Sequence, residues 1–259
     1  TEMDKPERVT KLLNIVNGVC KVYGKKLWAR TWAADEWVTE GVIAADENIW
    51  VENKNVNCDF CPYGEYHPNT GIYGDRNQII EFDLNGQYLG RSWIPSPHPD
   101  FLKDMIDYAK SKDIDGYVGR VGTFKQDWEG PLGTLTIPNT HAINTPNEIN
   151  LFAFTKIIEN PEANTEEIWM EWTKKKYGEE AAPHIISAYK RTFDIISQLY
   201  FMETGEDSSY INMNTHSAIS WWGIFDDPDR PEGGYWEKII SDPVFVAVST
   251  GASLDEEVN

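Results

Sequence analysis

With 259 residues and a formal net charge of −19, the chain is long enough for one large domain or two ordinary ones. Nothing offsets the acidity with a basic stripe, which excludes nucleic acid and anionic membrane surfaces as natural partners. No run of 18 apolar residues and no basic-then-apolar start is present, so neither a membrane span nor a signal segment is visible.

Cys20, Cys58 and Cys61 are the three cysteines. Cys58 and Cys61 have C-x-x-C spacing, but no second pair and no His pair completes a tetrahedral set, so they read as two thiols at a strand end. His67, His98, His141, His184 and His216 are scattered without ligand spacing, and no metal is implied. No cofactor is implied either, since the glycines between 116 and 122 do not match a phosphate-cradling G-x-G-x-x-G. The 11 Trp and 12 Tyr supply flat faces of the kind that stack on sugars, although most such residues in any protein are core.

Taken in order, Val9, Leu12, Leu13, Val16, Val19 and Cys20 are at helical spacing between Pro6 and Tyr23, with Gly24 as the stop. Lys26 to Trp32 is a strand whose alternation puts Leu27, Ala29 and Thr31 on one face and Trp28, Arg30 and Trp32 on the other. Arg30, near its C-terminal end, is a candidate anion binder. A weaker helix covers about Trp37 to Ala45, and Ile49 to Cys58 reads as a second strand. After a Pro, Gly and Asn-rich loop comes the strand Gln78 to Leu84, where Ile79, Glu81 and Asp83 share a face. Two carboxylates on one face are either chemical groups or members of an ion pair with Arg30 or Lys54.

A helix spans Asp100 to Lys112, and Asp115 to Phe124 is a strand whose glycines permit close backbone approach. A long loop from Lys125 to Asn144 carries Trp128, Asn139 and His141, and loops of that length tend to be functional. From Asn147 the pattern turns helical: Asn147 to Ile158, Asn164 to Tyr177 with Lys174 to Lys176 in the last turn, and Ala181 to about Phe201. Trp221, Trp222 and Trp236 follow among turns, and the tail is acidic.

The alternation in residues 1–145 predicts an α/β fold with parallel strands. It supplies about four strands where a closed (β/α)8 barrel needs eight. The expectation is therefore the last four strands of such a barrel, followed over residues 146–259 by an α-helical C-terminal domain. The missing strands either lie upstream of Thr1 in a longer native chain or come from another copy in a homodimer.

The ordered set Trp28-x-Arg30-x-Trp32, Lys54-Asn55 through Asp59-Phe60-x-Pro62, and Glu81-Phe82 through Tyr88-x-Gly90 resembles the C-terminal half of the catalytic barrel of the xylan α-glucuronidases, glycoside hydrolase family 67. The run from Asn147 through Trp172 to Gly178 is similar to the opening of that family's helical C-terminal domain. The resemblance implies an inverting hydrolase that removes glucuronate from uronic-acid-bearing plant or algal oligosaccharides. It implies that Arg30 and Lys54 bind the uronate and that Asp59 activates water. At the family's basic Glu this chain has Gln87, which cannot take a proton, so a second base would have to be Asp83 or Glu81. The family's general acid lies on an earlier strand than any present here. Trp32, Tyr88, Trp128 and His141 complete the candidate substrate contacts. Two alternatives accompany this reading: a non-catalytic uronate-binding relative, motivated by Gln87, and a uronate lyase using Lys54, Tyr88 or His141 as base.

Overall fold

A computed structural model describes residues 4–32, 34–57, 60, 66–85, 95–123, 126–130, 133–137, 140–203 and 210–212. Among these, the order is α1 (Lys5–Val22), β1 (Trp28–Thr31), α2 (Glu36–Ile43), β2 (Trp50–Lys54), β3 (Gln78–Asp83), α3 (Pro99–Ser111), β4 (Gly116–Arg120), β5 (Gly122–Thr123), β6 (Gln126–Gly130), β7 (Gly133–Ile137), β8 (Thr140–His141), α4 (Glu148–Glu159), α5 (Thr165–Tyr177), α6 (Ala182–Tyr200), β9 (Phe201–Glu203) and β10 (Tyr210–Asn212). The fold is α/β, with a four-stranded sheet in the order β1-β2-β3-β4, parallel throughout, and six helices among the described residues.

The helices begin and end where local chemistry allows. The Asp4 side chain accepts from the Glu7 N–H at 2.8 Å to cap α1, with Pro6 in its first turn, and the Asn164 side chain accepts from Glu166 and Glu167 to cap α5. Gly24 and Gly178 take positive φ, 63° and 87°, where a side chain would be strained.

Parallel strands bury one face under helices. Ile80, Phe82 and Leu84 pack with Leu102, Met105 and Ile106 of α3 and with Ala153, Phe154 and Ile157 of α4. A smaller cluster joins Val51 to Val42 and Tyr73, with Val9 and Leu13 of α1 against it. One core therefore continues across residue 146, where the sequence changes to helices. Beyond it, Ile149, Trp169 and Trp172 tie α4 and α5 to Ile186 and Tyr189 of α6. Gly119 shows why β4 carries glycine: a Cβ there would collide with Leu84 and meet the Phe154 ring at 3.2 Å.

The segment entering α3 is held by a buried polar network. The Asn147 and Asn150 side chains accept from the Ser96 and His98 N–H groups at 2.6 and 2.7 Å. Asn147 donates to the Asn85 carbonyl, and Asn150 donates to those of Leu84 and Ser96. Both His98 ring nitrogens face carbonyls, Ser96 at 2.7 Å and Asp83 at 3.1 Å. Burial nonetheless pushes the imidazole down to about 4, and the neutral ring donates from one nitrogen.

His67, also fully buried, is held at about 4 by burial and then by the Lys54 charge. In each case the unfolded chain binds a proton that the folded chain refuses, so stability is complete above pH 6.5 and is lost as pH falls toward 4. The expected loss is up to about 3 kcal/mol per histidine. Urea unfolding at pH 7 and pH 4.5 checks this, and His67→Gln should remove roughly half of the fall. A flat profile would contradict it.

The structure departs from the sequence reading over the stretch 125–144, expected to be one loop. Gln126–Gly130 and Gly133–Ile137 pair antiparallel, and Thr140–His141 pairs with Gly122–Thr123. Strands of two to five residues around paired glycines fall below the length at which alternation is legible. The strand expected over Asp115 to Phe124 accordingly ends at Arg120, with a separate short strand at Gly122–Thr123. The strand expected to reach Cys58 ends at Lys54, and Val56 forms an isolated bridge with Tyr66. Within the region expected to be helical, Phe201–Glu203 and Tyr210–Asn212 form an antiparallel pair. The Trp221 to Trp236 segment lies outside the described residues.

Candidate functional site

The parallel register determines which side chains meet. Arg30 is level with Glu52, Lys54 with Glu81, and Asp83 with Arg120. Partners level in a parallel sheet point the same way. Three cations and three carboxylates from four strands therefore share the face opposite the hydrophobic core. They lie toward the C-terminal ends of the strands, where α/β folds bind ligands.

Arg30 is the hub of this face. Its Nε donates to Glu52 Oε1 at 2.9 Å, and its Nη2 makes a short bond to Glu81 Oε2. The Arg30 side chain retains 39% of its exposure, against 10% and 11% for the two glutamates. Burial opposes the Arg30 charge, but the bonds and charges of Glu81 and then Glu52 outweigh it and raise its pKa. Burial pushes Glu52 up, the Glu81 charge adds to that, and the bond from Arg30 opposes both.

Lys54 is buried, with Nζ 5.2 Å above the Trp32 ring and 4.5 Å from the Phe60 ring centre. Such aromatic faces hold a cation without neutralising it. The other side of β2 locks its position: the Asn53 amide bonds Gln78, the Lys54 carbonyl and Thr70, and Gln78 binds the backbone of Asn69 and Gly71. Ala34 donates to the Asn57 side chain at 3.0 Å, joining the exits of β1 and β2. The tip from which Lys54 projects is thus tied to both neighbouring strands.

Of the candidate residues, the structure brings together Arg30, Lys54, Glu81 and Trp32, a residue 49% exposed. Asp83 is on the same face, buried, with Oδ1 accepting from the Asn85 N–H at 3.3 Å. Asp59, Gln87 and Tyr88 lie outside the described residues. Trp128 is on β6, level with Leu135, and His141 is on β8, level with Gly122, so both belong to antiparallel pairs and not to the four-stranded sheet.

Glu52 is the residue that sequence reasoning missed. The alternation of Trp50–Lys54 places it on the Lys54 face, by the rule already applied to β1 and β3. Among the described residues, no group of three or more His, Cys, Asp or Glu is placed to hold a metal, and no helix is long and apolar enough to cross a membrane.

No protein-family model matches the chain, and no curated protein matches it.

Proposed function

We propose that the face around Arg30 and Lys54 is the uronate pocket of an α-glucuronidase-like glycoside hydrolase, and that the four-stranded sheet is part of a (β/α)8 barrel. The observation that carries the proposal is the placement of Arg30 and Lys54 at the ends of adjacent parallel strands, on one face, with the open Trp32 ring beside them. Arg30 supplies a planar fork and Lys54 a compact charge, the combination that recognises a carboxylate directionally. The exposed Trp32 ring offers a flat apolar surface for a pyranose. Asp59 activates water, and the general acid comes from an earlier strand of the barrel. A uronate-binding relative without turnover is the second reading, favoured by Gln87 at the position of the family's base.

Calorimetric titration with glucuronate and with glucose tests the pocket. Glucuronate should bind at least about tenfold more tightly, and Arg30→Ala should weaken it by about a hundredfold, the worth of a charge-assisted fork. Equal affinity for the two sugars would exclude the uronate assignment.

A further inference from the structure

We infer that Glu52 sets the carboxylate affinity of this face: ionised, it occupies Arg30, and protonated, it releases Arg30, so that a uronate binds together with a proton. Glu52 can act in this way only if the uronate reading of the site holds.

Charge balance leads to this conclusion. Arg30 is already shared by two carboxylates, Glu52 at Nε and Glu81 at Nη2. The groups facing Glu52 are Arg30 and Trp28 of β1, Lys54 of its own strand, and Glu81 of β3, with Asp83 and Arg120 one step further along the same face. Asp83 and Arg120, level with one another, add one charge of each sign to the face. A uronate arriving at Arg30 and Lys54 would bring three anions against two cations, on a face where Glu52 and Glu81 are nearly dry. Excess charge at low exposure is expensive, and one proton removes it.

Glu52 is the group suited to take that proton. Burial and the neighbouring Glu81 already favour its neutral form, and among the described residues Arg30 and a hydrogen bond with Trp28 hold it ionised. A ligand carboxylate competing for Arg30 weakens that hold. Binding and protonation are therefore linked, each favouring the other. The ligand's own carboxyl, an ordinary carboxylic acid, remains ionised above pH 5.

Calorimetry of the full chain with glucuronate, in buffers of different ionisation enthalpy, reads the proton directly. Binding at pH 6 should take up a proton, and affinity should tighten by about tenfold from pH 7 to pH 5. Glu52→Gln should bind more tightly than the wild type at pH 7, without proton uptake and with a flat profile. His67→Gln should retain the wild-type profile, because His67 titrates near 4, below this window. Glucuronate binding without proton uptake, or an unchanged profile in Glu52→Gln, overturns the role of Glu52 and leaves the uronate site standing. No glucuronate binding by the wild type at any pH overturns both. Proton uptake is measured on the wild type, so the outcome does not depend on the variant folding.

Discussion

Glucuronate release from a glucuronate-bearing xylo-oligosaccharide should fall by about a thousandfold when Asp59 is replaced by alanine in the native protein, the usual worth of a positioned general base. Inversion requires a carboxylate across the sugar ring from the general acid, with about 6.5–9.5 Å between them to admit a water. Gln87 cannot accept a proton, so the usual partner base is absent from its place in the motif. Glu81 commits Oε2 to Arg30, and Asp83 is buried with Oδ1 on the Asn85 N–H, so neither is free to reorient onto a water. Asp59 therefore carries the full load of water activation in this reading. Continuous measurement of released uronate checks it. An unchanged rate in Asp59→Ala would move the base to another residue, and glucuronate binding by a wild type that releases none would favour the non-catalytic relative. Restoring the carboxylate with Gln87→Glu would then be the informative second variant, since a gain in turnover identifies the lost base.

The second large effect is on stability. Asn150→Ala should destabilise the fold by about 3 kcal/mol, because several buried backbone groups lose their partners at once. Asn150 is completely buried, accepts from the His98 N–H at 2.7 Å and donates to the carbonyls of Leu84 and Ser96 at 3.2 and 3.0 Å. It thereby joins the exit of β3, the entry to α3 and the first turn of α4. Asn160, whose Oδ1 accepts from the Glu162 N–H at the exposed end of α4, is the natural control. Its replacement by alanine should change stability by less than about 1 kcal/mol. Urea unfolding of both variants measures the difference, and similar losses would mean that the buried network contributes no more than a surface turn.

Side chains distant in sequence meet in this fold. Arg30 and Glu81 are 51 positions apart and His98 and Asn150 are 52 apart, yet each pair is in hydrogen-bond contact. Arg30 bonds Glu52 and Glu81 together across β1, β2 and β3, a grouping that no sequence motif marks. Of the two roles that its strand position permits for Glu81, the structure shows an ion pair with Arg30.

Most elements of this protein were determined locally. Helical spacing with Asn164, Gly24 and Gly178 at the ends specifies α1 and α5 to within a residue or two, because caps satisfy backbone groups that only a helix terminus leaves open. Period-two alternation places Arg30, Glu81 and Asp83 on definite strand faces, since successive side chains in a strand point to opposite sides. The short strands at Gln126–Gly130 and Gly133–Ile137 were not legible, since pairing with each other, more than their own pattern, makes them strands. The alternation of helices and strands already points to a parallel sheet, whereas only tertiary structure decided that Lys54 is buried among aromatic rings and that Arg30 binds two glutamates at once. Register between strands is set by how whole faces pack, and a shift of one residue would have sent Glu52 and Lys54 into the hydrophobic core.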